Sequence, residues 1–263
     1  MNGVVPHLTG AKGDHTLKKH FGYILITYIV MQLSSVVGIP LLFKIGVDVL
    51  GQPEDTVRNV VPGYWLVISF TLTLLVVWGI LRKSDTSTGL ERTAPMNAGG
   101  SIVWAVVGIF MAFIAQSVAI QVEYALGIEM GSENTQMIIS IIEKVPLSMM
   151  VAAIIGPILE EIVFRKIIFG VLYEKMNFFF AALISSVIFA LAHFEPVHVI
   201  LYSAMGFTFA FLYVKTKRIL VPIFAHVAMN TTVVLMQSIY KDEIEKMINE
   251  AEQIQGFIGG LFL

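Results

Sequence analysis

Between residues 157 and 170 the chain reads PILEEIVFRKIIFG, which sets two glutamates and an arginine in a strongly apolar setting. A charge at bilayer depth costs roughly a few to more than ten kcal/mol, so groups of this kind normally serve a function. Residues four apart share a helix face, so Glu161 lies beside Arg165 and can form a charge-assisted pair. Such a pair serves as well for a structural bridge as for a supporting role at a site. Glu160 points about 100° away and is free to face another helix. A desolvated carboxylate there, next to a histidine, is suited to act as a general base. His193 closes a second apolar stretch, FALAH at 189–193. His226 and Asn230, in HVAMN at 226–230, are again four apart and present imidazole and carboxamide on one face. Both can donate hydrogen bonds to an oxyanion in a low-dielectric cavity. A base, an assisting histidine and two donors suffice for amide hydrolysis without a nucleophilic side chain.

The elements that must position these groups are apolar. Of 263 residues, 56% are hydrophobic and only 14% charged, with a mean hydropathy of +0.80. A soluble domain carries about 25% charged residues, so the composition places this chain in a membrane. The net charge of −2 and the lack of a long basic run exclude nucleic acid as a natural partner. The absence of cysteine excludes disulfides, thiolate metal sites and a cysteine nucleophile.

A helical span needs about 20 apolar residues. Six stretches free of Asp, Glu, Lys and Arg approach that length, at 21–43, 60–81, 98–122, 177–194, 197–214 and 219–240, and 146–173 makes a seventh. The expected fold is therefore an all-α, multi-pass transmembrane bundle with seven long spans. A short eighth segment would arise if FIGGLFL at the C-terminus enters the bilayer. No internal repeat or dividing linker is present, so residues 1–20 read as a cytoplasmic tail and 21–263 as one membrane domain. Lys and Arg number ten on the N-terminal side of the spans and five on the other, which puts the N-terminus in the cytoplasm. The stretch 132–146 is expected to lie on the bilayer surface, and 241–253 to form an amphipathic helix with a solvated charged face.

Depth brings the polar groups to one layer. Glu160 lies 14 residues from the cytoplasmic end of its span and His193 16 residues along the next, roughly 21 and 24 Å at 1.5 Å per residue. His226 and Asn230 fall about 12 and 18 Å deep on the last span. His198, beside Glu195 and Pro196, reads as an interfacial residue.

EEIVFR, FALAH and HVAMN resemble, in order, the EExxxR, FxxxH and HxxxN motifs of the CAAX-protease and bacteriocin-processing family of intramembrane endopeptidases. The resemblance covers about 146–235; the first three spans carry no signature beyond hydrophobicity. It implies a membrane-embedded protease of the cell membrane in which Glu160 and His193 activate water. His226 and Asn230 would hold the oxyanion, with Glu161 and Arg165 in support. The partners it implies are the lipid bilayer and a membrane-associated peptide or protein substrate. A metal-free glutamate mechanism is preferred and no cofactor is assigned. Were the enzyme a metallopeptidase, zinc would be held by Glu160, His193 and His226. Two other classes share the pattern: a transporter with intramembrane charges along its path, and an immunity or regulatory protein that only binds. A transporter would spread polar residues over all spans, whereas here they cluster on three.

Overall fold

The computed structural model describes residues 11–240, with side chains from Lys19 onward, and positions 243, 246, 247 and 250 beyond them. The possible eighth segment, and most of the amphipathic stretch 241–253, lie outside the described residues. Every regular element among the described residues is helical: α1 (Ala11–Leu33), α2 (Ser35–Lys44), α3 (Glu54–Lys83), α4 (Ala98–Ala125), α5 (Glu133–Lys144), α6 (residues 148–173), α7 (Phe178–Leu191), α8 (Val199–Thr216) and α9 (Leu220–Ile239).

Local chemistry explains the ends of several. The side chains of Asn97, Ser132 and Asn177 accept the backbone N–H groups of Gly100, Thr135 and Phe180, capping α4, α5 and α7. Glu54 and Asp55 open α3, and Arg82 and Lys83 close it, each matched to the helix dipole. Lys217, with φ of 55°, stops α8 and returns its N–H to the Tyr213 carbonyl at 2.7 Å.

α4 shows how a lipid environment inverts the usual pattern. Its buried face is small, with Ala105, Gly108, Ala112 and Ala119, whereas Ile102, Phe110, Ile114 and Val118 are exposed. Apolar side chains gain little by leaving lipid for protein, so close backbone approach drives packing instead. The same logic brings α7 and α8 together at Gly206, where a Cβ would stand 2.3 Å from Ser186 Oγ.

Seven long spans are not what forms. Four helices among the described residues are long and apolar enough to cross a membrane: α3, α4, α9, and α8 with the 3₁₀ turn Pro196–His198 that precedes it. A fifth arises only if α1 and α2 count as one span bent by 48°. The bend falls at Ser34, whose hydroxyl donates to the Met31 carbonyl at 2.6 Å and accepts from Trp65 Nε1 at 3.2 Å. A serine bonded into its own turn is a recognised source of kinking. The stretch at 177–194 fails for length: α7 ends at Leu191 after 14 residues, roughly 21 Å against a core of about 30 Å. The stretch at 146–173 fails for regularity. α6 alternates between α-helical pieces and π-helical turns at Val151–Ile155 and Glu161–Phe169, and carries four charged residues at its centre. A count of apolar residues sees none of these breaks.

α5 buries Ile139 and Ile142 against Val234 of α9. A core of Tyr28, Val77, Leu159, Val163, Phe164 and Phe189 joins α1, α3, α6 and α7. A second cluster joins α4, α8 and α9. α6 contributes to the first of these cores, and α4 packs directly on α8 and α9 in the second.

Candidate active site

The irregular α6 creates the site. Pro157 has no N–H to offer, and the π turn Val151–Ile155 ends just before it. Wide turns leave carbonyls available: Asn230 Nδ2 reaches Ala152 O and Thr231 Oγ1 reaches Ala153 O, each at 3.5 Å. The second π turn begins at Glu161. Such turns often mark functional sites.

Around that junction the charges meet. Glu161 is fully buried and its Oε2 lies 3.4 Å from Arg165 Nε, the pairing expected of residues four apart. Its Oε1 accepts a hydrogen bond from His226 Nδ1 at 2.9 Å, a link the sequence did not announce. His226 Nε2 points to Glu160 Oε2 at 3.7 Å, so the imidazole bridges the two glutamates. The ring stacks on Phe209, with centroids 4.5 Å apart and planes inclined by 20°. Arg165 is sandwiched between aromatic faces, its Cζ 4.1 Å from Phe189 and 5.5 Å from Phe209. These contacts favour the cation in a setting where burial opposes it. Lys166, one residue on, pairs instead with Glu91 of the loop between α3 and α4.

His193 lies in the turn beyond α7, not within the helix. Its Nδ1 bonds to the Phe189 carbonyl at 2.8 Å, and its ring stacks on Tyr202 at 4.1 Å. It makes no hydrogen bond or ion pair with Glu160 or Asn230. All four groups nevertheless line one cavity of about 920 Å³. Glu160 and Asn230 are half-buried at its wall, and Glu161 and Arg165 stand behind it, closed to solvent. Among the described residues no three His, Asp or Glu side chains gather closely enough to ligate one metal ion. The zinc set of Glu160, His193 and His226 is thus not assembled.

Tyr28 and Gln32 of α1 and Gln116 of α4 also line the cavity, although the first three predicted spans gave no hint of it. His198 is buried, and its Nδ1 lies 2.8 Å from Oε2 of Glu123, whose Oε1 accepts the Leu201 N–H at 2.9 Å. The available signal was positional, since Glu123 and His198 flank spans on the same predicted side. Glu195 accepts three hydrogen bonds, from Tyr202, the Asn134 backbone and Ser132. Burial pushes its carboxyl up, but those donors hold it below the usual carboxylate range.

The family described as type II CAAX prenyl endopeptidase Rce1-like matches residues 142–232, which contain all six candidate residues. The chain is 52% identical over 252 residues to the "Putative membrane peptidase YdiL" of Bacillus subtilis (strain 168), covering 94% of this chain and all of that protein. The chain belongs to this family. A second relative, the "Membrane-embedded CAAX protease MroQ" of Staphylococcus aureus (strain USA300), is 33% identical over 189 residues, or 69% of this chain and 76% of that protein. No solved structure matches. Family and relatives indicate a membrane protease.

Proposed function

We propose that the protein is an endopeptidase of the cell membrane, its N-terminus cytoplasmic, that hydrolyses peptide bonds of membrane-associated peptides or proteins with water activated by Glu160 and His193. The observation that carries this is the convergence of Glu160, His193, His226 and Asn230 on one cavity from three separate stretches of chain. Two groups that share a water need not touch each other, which is consistent with the lack of direct contact between Glu160 and His193. Glu160 takes a proton as the water oxygen bonds to the amide carbon. His226 Nε2 and Asn230 Nδ2 donate to the resulting oxyanion. Collapse breaks the C–N bond, and the proton held by Glu160 passes to the departing amine.

Glu161 and Arg165 act behind this layer. An imidazole that donates through Nδ1 to Glu161 donates through Nε2 only as the imidazolium. The oxyanion role therefore assigns His226 both protons, and Glu160 and Glu161 together balance the charges of His226 and Arg165. The test is cleavage of a peptide library by the purified protein, comparing wild type with Glu160→Gln and His193→Ala. Loss of cleavage in both supports the proposal. Full cleavage by both, or transport by the wild type without cleavage, sinks it. Chelation that abolishes activity, with recovery on adding Zn²⁺, would overturn the metal-free form.

A further inference from the structure

His193 carries half of the proposed water activation, yet no helix holds it. The next residue, Phe194, has φ of 59°, a left-handed conformation that costs a bulky residue about 1–3 kcal/mol and persists only where its surroundings over-determine it. The residue after that supplies the constraint. Glu195 accepts the Tyr202 hydroxyl at 2.6 Å, the Ser132 hydroxyl at 2.7 Å and the Asn134 N–H at 2.8 Å. Tyr202 in turn lays its ring over His193, centroids 4.1 Å apart and planes inclined by 24°. Beyond that face, the imidazole is held by the bond to the Phe189 carbonyl of α7 and by the Phe189 ring, edge-on with centroids 4.5 Å apart. We propose that Glu195, acting through Tyr202, is the positioning residue for His193 and couples that ring to the N-terminus of α5, which walls the cavity.

The inference rests on the role given to His193 above. Its rival is that Glu195 merely caps α5, since a carboxylate at a helix N-terminus stabilises the helix on its own account. Tyr202→Phe separates the two. It keeps the aromatic face but removes the bond from Tyr202 to Glu195, while Glu195 still accepts from Ser132 and the Asn134 N–H at the start of α5. Misplacement of a reacting group by an ångström costs on the order of a hundredfold in rate.

The experiment measures kcat and KM in lipid nanodiscs on a quenched fluorescent peptide that the wild type cleaves, for Tyr202→Phe, Glu195→Ala, their combination and Ser132→Ala. Alongside, the His193 ring protons are observed by NMR, which requires no turnover. The expected result is kcat lowered about ten- to a hundredfold by either change, with the pair no worse than the worse single. KM changes little, Ser132→Ala, which removes one of the three donors to Glu195, lowers kcat less than Tyr202→Phe, and the His193 protons lose the upfield shift imposed by the Tyr202 ring. Wild-type kcat and unmoved His193 resonances in Tyr202→Phe overturn the proposal, whatever becomes of Glu195→Ala. If His193→Ala abolishes cleavage while Tyr202→Phe is silent, only the positioning falls. If no variant, wild type included, cleaves any peptide, the protease reading falls and the ring shift alone decides the positioning.

Discussion

Among the described residues two buried histidine–glutamate hydrogen bonds are of nearly equal length, His226 with Glu161 at 2.9 Å and His198 with Glu123 at 2.8 Å. What surrounds them differs. Glu123 spends its second oxygen on the Leu201 N–H near the start of α8, so its carboxylate joins α4 to that helix end. His226 has its second nitrogen turned toward Glu160 at the cavity wall, and Glu161 has Arg165 behind it. A buried imidazole–carboxylate pair is therefore no site by itself. Both histidines line the same cavity, and what distinguishes the first pair is the second carboxylate, Glu160, that faces the other nitrogen of its imidazole.

Substitution at Glu160 tests the distinction most severely. Glu160→Gln is expected to lower kcat/KM roughly 10²- to 10⁴-fold, the contribution of a general base, with the melting temperature nearly unchanged. A variant that cleaved normally would erase the difference between the two pairs. Glu161→Ala ranks next and acts on stability. It strands Arg165 in a closed setting and leaves His226 Nδ1 unpaired, at a cost of about 3–5 kcal/mol. Chemical unfolding in detergent reads this; a loss under 1 kcal/mol would mean that the aromatic faces of Phe189 and Phe209 suffice for the cation. Glu123→Ala removes the acceptor of both His198 and Leu201, for about 1–3 kcal/mol, and leaves kcat within a few-fold of wild type. A collapse of kcat with retained stability would move the His198–Glu123 pair into the active site.

Much of this site was legible because intramembrane charges are costly and few. Glu160, His193, His226 and Asn230 stood out against apolar sequence, and helical spacing paired Glu161 with Arg165. The all-helical, membrane-embedded class followed from composition alone. The span count did not, because hydropathy registers how apolar a stretch is and not whether its helix runs unbroken. The kink at Ser34, the early end of α7 at Leu191 and the two π turns of α6 are all invisible to a window average. The depth of His193 was also inferred from a helix that stops two residues before it. Long-range polar bonds escaped for a different reason. Glu123 and His198 lie 75 residues apart, and Glu195 and Ser132 63, so neither link leaves a local spacing to find.

Glu195 is buried like the His198–Glu123 pair, but Tyr202 joins it to the candidate catalytic residue His193. The smallest effect expected is its pH dependence. Its carboxyl lies below the ordinary range: burial raises it, and the bonds from Tyr202, Asn134 and Ser132, with the nearby His198, more than offset that. A carboxyl lowered on folding adds stability that is complete above its unfolded value and is lost as pH falls through the folded one. Wild type should therefore exceed Glu195→Gln in melting temperature at neutral pH, and the gap should close as the solution is acidified below the usual carboxylate range. Glutamine mimics the protonated acid in shape and charge, so convergence at low pH is the signature of this one group. A gap independent of pH would instead assign the loss to the altered hydrogen-bond geometry, and the charge on Glu195 would then contribute nothing to holding the turn after His193.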